Sequence, residues 1–137
     1  MRDVESILMQ HLMSDEELTA LVGVRIFPLV RPQEDDSPER LADLPAVVYQ
    51  RVSTGYLSSH ELDSGDLGNA QVQYSVFAET RREARKVAEL VRRSLRAYRD
   101  LSKGIQRVSF SNVLEQYEQD TGIYHVVMTA QVMYPEQ

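Results

Sequence analysis

The strand-like run QVQYSVFAE at 71–79 passes through one threonine into RREARKVAELVRRSLRAY at 81–98, and this junction constrains the fold more than any other feature of the chain. Val72, Tyr74 and Val76 alternate with Gln71, Gln73 and Ser75, the period of two expected of a sheet with one face inward. Ala84, Val87, Ala88, Val91, Leu95 and Tyr98 then recur at helical spacing and form one apolar stripe. A helix that follows its strand so closely folds back onto it, so the stripe is expected to pack on the apolar sheet face.

Around this unit the remaining elements are shorter. Val4, Ile7, Leu8 and Leu12 predict a helix over 4–13 with Asp3 as its N-cap. Ser14-Asp15-Glu16-Glu17 fits a capping box, with Ser14 as the cap of a second short helix that ends at Gly23. A short strand over 24–28 follows. The segment 31–45 has three prolines and many charges, and reads as a surface loop. Val47, Val48, Tyr49 and Val52 predict a strand over 46–53. The Gly-, Ser- and Asp-rich stretch 54–69 is either a mobile loop or an extended hairpin. Two more strands, about 105–116 and 123–134, are joined by a turn at Asp120-Thr121-Gly122. Ser109, Phe110, Ser111 and Asn112 break the alternation of the first of these, as a bulge or an edge position would, and an exposed edge there can pair with a neighbouring subunit. The expected fold is α+β: a mainly antiparallel sheet of four to five strands with helices packed on one face, residues 1–137 forming a single domain.

Charge is distributed unevenly. Residues 81–107 hold ten Lys/Arg against three Asp/Glu, whereas the rest of the chain holds five against eighteen, for a net charge of −6. That net charge argues against general nucleic-acid binding, and only the helix from Arg81 offers a basic patch. With no cysteine, disulfides, thiolate metal sites and cysteine nucleophiles are excluded. No apolar run reaches the roughly 18 residues of a membrane span, and the acids near the N-terminus do not suit a secretory signal, so a soluble chain, cytoplasmic where it is made, is expected.

On a helical wheel Arg81, Arg85, Arg92, Arg96 and Arg99 form a strip beside the apolar stripe, with Arg82, Lys86 and Arg93 further round. One reading is a contact strip for an acidic protein surface, since the planar guanidinium pairs bidentately with carboxylates. The other is a solvated face laced by Glu83 and Glu89. His60, Glu61, Asp63 and Asp66 lie in the 54–69 stretch, which either reaches a neighbour or is simply a polar loop; their spacing defines no metal site. His11 reads as a packed or boundary histidine, and His125 lies on the less apolar side of the last strand. No Gly-rich phosphate loop, nucleophile elbow or HExxH motif is present, so no enzyme activity and no cofactor are expected.

LTALVG, VRIFPLVRPQ, LPAVVYQRVS, VQYSVFAETRREARKVAELVRRSL and HVVMTAQVMY occur in this order across nearly the whole chain. Together they resemble the tail-completion, or tail-terminator, proteins of long-tailed bacteriophages, a family that includes tail-to-head joining proteins. The resemblance implies a structural subunit that forms a ring, typically a hexamer, on the tail tube, ends tail growth and presents a docking surface to the head. Its partners would be further copies of itself, the tail-tube protein and the head–tail connector protein, and its place would be the virion tail or neck after assembly in the host cytoplasm. It implies no catalytic, cofactor or metal residues. Two alternatives stand beside it: a neck or head-completion adaptor on the portal side, and a small regulatory or ligand-binding domain unconnected with virions.

Overall fold

The computed structural model describes residues 3–28, 44–57 and 67–135, the side chains of 53–57, 67 and 135 excepted. The order is α1 (Val4–Met13), α2 (Glu16–Val22), β1 (Ile26–Pro28), β2 (Ala46–Leu57), β3 (Leu67–Ala78), α3 (Arg81–Arg96), a 3-10 turn (Leu101–Lys103), β4 (Arg107–Glu118) and β5 (Ile123–Pro135). The five strands form one sheet in the order β1-β2-β3-β5-β4. The fold is therefore α+β and the sheet mostly antiparallel, as expected, but β1 runs parallel to β2.

Local chemistry sets the helix ends. The Asp3 carboxylate accepts from the Ser6 amide at 3.3 Å and so starts α1. Asp15, rather than Ser14, caps α2, taking the Leu18 amide at 3.2 Å. Ser14 instead belongs to the end of α1, where its hydroxyl donates to the His11 carbonyl at 2.6 Å. Both residue types cap well, and the one-residue offset is decided by where α1 runs out. Thr80 caps α3 through the Glu83 amide at 3.1 Å.

The strands are longer than their composition suggests. The predicted loop 54–69 gives residues 54–57 to β2 and 67–69 to β3, so the extended-hairpin alternative holds over the described part. At its far end Gly68 sits opposite Tyr134 of β5, whose buried ring lies over it; a Cβ on Gly68 would overlap that ring. Glycine is here a feature of packing between strands. The first strand is shorter than expected, beginning at Ile26 with Val24 exposed. The expected 105–116 strand runs from Arg107 to Glu118. Its broken alternation is a register shift between Phe110 and Asn112, and β4 is an edge strand among the described residues, so both features read into that run are present there. The turn into β5 contains Gly122 at φ +73, a backbone conformation that favours glycine.

Val47 and Tyr49 of β2, Val72, Tyr74 and Val76 of β3, and Val126, Met128 and Ala130 of β5 are buried in register with one another. Against β3, β4 and β5 lies α3, which also contacts α1 and α2. With neighbours on both the sheet and the other helices, α3 buries Leu90, outside the sequence-derived stripe, along with Ala84, Val87, Ala88, Val91 and Leu95. His11 stacks on Tyr98 at 3.9 Å, and its Nε2 lies 3.2 Å from the Ser94 carbonyl, binding α1 to α3 as a packed histidine does.

Two buried aromatics generate predictions. Gly68→Ala should overpack the Tyr134 contact and cost about 1–3 kcal/mol, read as a lower urea midpoint at unchanged m-value. The Tyr74 hydroxyl is buried with no hydrogen-bond partner, and burial raises its pKa. Tyr74→Phe should therefore be neutral, or stabilise by about 1 kcal/mol, in the same titration.

Candidate functional site: the arginine strip and the exposed edge

Five of the residues singled out in the sequence lie on or just beyond α3, and the structure divides them. Arg85 grips Glu115 of β4 with two guanidinium nitrogens, Nε at 2.9 Å and Nη2 at 3.2 Å, while Arg81 Nε approaches the same carboxylate at 3.4 Å. Arg92 pairs bidentately with Glu89 on its own helix at 3.1 and 2.8 Å. Arg93, from the other flank, reaches Glu17 of α2 at 3.0 Å. Arg96 and Arg99 are exposed and form no ion pair among the described residues, as do Arg82 and Lys86. Part of the strip thus clasps the chain's own acids, and its C-terminal end stays open. His60, Glu61, Asp63 and Asp66 lie outside the described residues.

The arginines leave an electrostatic trace. Hydrogen bonds from Arg85, with a further contribution from Arg81, hold the Glu115 carboxyl below its ordinary value of 4.5. Glu89 is lowered in the same way, chiefly by its hydrogen bond from Arg92. These groups are exposed, so their pairs hold side-chain geometry more than they stabilise the fold.

The sequence marks the region these contacts border only as a bulge or exposed edge at Ser109–Asn112, and does not single out the stretch beyond it. Ser111–Glu118 of β4 are exposed throughout, and within them Val113, Leu114 and Tyr117 are 57%, 54% and 51% accessible. Isolated exposed apolar residues are ordinary, whereas three on one stretch of an edge strand form a patch. The broken alternation at 109–112 was the available signal; the number of apolar side chains left uncovered beyond it depends on how far α3 extends, which the sequence of β4 does not contain. On the sheet, His125 stacks on Phe77 at 4.3 Å, and burial lowers its pKa. Among the described residues no group of acids and histidines is arranged to hold a metal ion, and no helix is long and apolar enough to cross a membrane.

The family model described as tail completion protein gp17 matches residues 7–135. This chain belongs to that family. A chain from a solved structure of the virion of a native gene transfer agent (GTA) particle is similar in fold, with a TM-score of 0.66, 17% identity, and coverage of 94% of this chain and 92% of that one. The search of curated proteins finds no match.

The side-chain environments predict two pH responses. Glu115 is depressed when folded, so its stabilising contribution is complete above 4.5 and is lost as pH falls through the folded value. Arg81→Ala/Arg85→Ala should return the Glu115 titration toward 4.5, as followed by carboxyl NMR; an unmoved titration would show that the clasp is not held in solution. His125 also has a depressed folded pKa, but as a base: both states are neutral well above 6.5, and as pH falls the unfolded chain takes the proton first. Stability should therefore decline from about pH 7 downward, and His125→Phe should remove that component from the pH profile of the unfolding midpoint.

Proposed function

We propose that this protein is a phage virion structural subunit that forms a hexameric ring over the end of the tail tube. The ring ends tube polymerisation and offers the surface to which the head docks. The observation that carries this reading is membership of the tail completion family over residues 7–135. The fold shared with a chain of a gene transfer agent virion supports it. The role calls for matched surfaces and no chemical transformation, so neither catalytic groups nor a cofactor enter it. Its partners are other copies of the chain, the tail-tube protein and the head–tail connector, and its place is the tail or neck of the virion after assembly in the host cytoplasm.

In this arrangement the helices form a layer on one face of the sheet. The alternation along β3 and β5, buried at Val72, Tyr74, Val126 and Met128 but only half-buried at Gln71, Gln73, Val127 and Thr129, supports such layering and leaves the second face for another component of the particle. The open end of the arginine strip, Arg96 and Arg99, meets an acidic neighbour surface, with Arg81, Arg85 and Arg92 alongside. The acids Glu61, Asp63 and Asp66, with His60, supply the opposite charge at the contact between copies.

Deleting the gene in a producing phage or prophage separates this function from its alternatives by the particles left behind. Termination predicts tails of uncontrolled length in electron micrographs, corrected by supplying the protein in trans. Normal free tails beside unjoined heads would instead identify a neck adaptor, and intact infectious particles would remove the virion role.

A further inference from the structure

The distal half of the β4–β5 hairpin carries apolar side chains that the chain leaves uncovered. Successive side chains of a strand point to opposite faces, yet Ser111–Glu118 are exposed without alternation, and so is the turn as far as Thr121. Val113, Leu114 and Tyr117 stand out from this stretch. Its tip has a defined shape: Tyr117 packs on Tyr124 with ring centroids 4.6 Å apart, the Gly122 amide donates to the Glu118 carbonyl at 2.8 Å, and the Thr121 hydroxyl donates to the Glu118 carboxylate at 3.0 Å. Its charge is wholly negative. Asn112–Tyr124 holds three acids and no base. Glu115 is already matched by Arg81 and Arg85, whereas Glu118 and Asp120 are exposed and form no ion pair among the described residues.

The other end of β4 has the opposite character, roughly 35 Å away at about 3.3 Å per residue. Arg96 at the end of α3, Arg99 and Lys103 in the link, and Arg107 at the start of β4 are exposed, and none forms an ion pair among the described residues. The single acid of 96–107, Asp100, is occupied by the Ser102 hydroxyl at 2.6 Å and by the Ser102 and Lys103 amides at 3.1 and 3.3 Å. Amid these bases Leu101 is 58% accessible. One end thus presents apolar side chains with unmatched acids, the other an apolar side chain with unmatched bases.

We infer that the β4–β5 hairpin tip of one copy docks on the 96–107 segment of the next, Tyr117 and its apolar neighbours covering Leu101, and Glu118 and Asp120 lying among the four bases. The inference rests on the ring-forming function proposed above and adds to the contact between copies a surface that meets Arg96 and Arg99. Distance keeps the two surfaces of a single chain apart, whereas two chains can join them. Charge selects the pairing: tip against tip would set acid against acid, and the other end against itself would set base against base. A contact between unlike surfaces is also the head-to-tail kind that generates rings, whereas like surfaces stop at a dimer.

Charge exchange tests the pairing, with folding of each variant checked by its thermal midpoint. Glu118→Lys/Asp120→Lys and Arg99→Glu/Lys103→Glu should each weaken capping of purified tail tubes on the order of tenfold. The chain carrying all four changes has the net charge of the wild type and should recover capping, because each reversed tip again meets a reversed partner. Undiminished capping by either double variant overturns the inference, and so does a fourfold variant that stays as weak as the doubles. The natural absence of cysteine permits an independent measurement. With a short bis-maleimide, Leu101→Cys/Asp120→Cys on tubes should give a ladder of covalent multimers, and each single variant should remain at monomer size. Efficient dimers from either single variant would show like surfaces in contact and overturn the inference. So would the absence of a ladder when the same variant forms rings on the tubes by electron microscopy, an outcome that leaves the ring itself standing. If the wild-type protein forms no ring on tubes, the proposed function falls first and this contact with it.

Discussion

The structure depends on α3 being buried from two directions. Its apolar side meets β3, β4 and β5, and its neighbouring flank meets α1 and α2, leaving Ala84, Val87, Leu90, Val91 and Leu95 with almost no exposed surface. Each fully buried Val or Leu contributes about 1.5–3 kcal/mol relative to exposure, whereas an exposed ion pair contributes about 0–1 kcal/mol. Packing therefore decides where the helix sits, and the arginines take the positions that remain. Arg81 and Arg85 fall on the side toward β4 and find Glu115, while Arg93 falls on the side toward α2 and finds Glu17.

That ordering of energies also explains which features were legible in the sequence. Periodic burial is a repeated signal, and the α3 stripe and the alternation of β3 and β5 could be read from it directly. The arginine strip was legible as a strip, but its division into engaged and open members was not. Glu115 lies 30 residues from Arg85 along the chain, and only the hairpin of β4 and β5 brings it back beneath the helix. Leu90 was missed for a related reason: α3 contacts α1 and α2 as well as the sheet, and a single-stripe reading assumes that a helix has one apolar neighbour.

The hairpin between β2 and β3 shows a different limit. Glycine, serine and aspartate normally mark loops, so Thr54, Gly55, Gly68 and Asn69 read as the edges of one. The observed strands continue through them because backbone pairing with β3 and β5 requires no particular side chain, and because Tyr134 needs the space that Gly68 leaves. The sequence records the small residue but not the ring that makes it necessary, which comes from a strand 66 positions later.

An open edge bearing exposed Val113, Leu114 and Tyr117 would tend to collect any free strand, yet an assembly subunit must stay separate until its place is ready. The net charge of −6 opposes such encounters between copies in solution. In the proposed ring the balance changes at the tube end, where each copy held beside another meets its neighbour at an effective concentration far above that in solution. A contact too weak to associate free subunits then suffices to close a ring of them. The clasp of Arg81 and Arg85 on Glu115 fits the same logic, since it matches within the monomer a charge that any surface covering this stretch would otherwise have to desolvate unpaired.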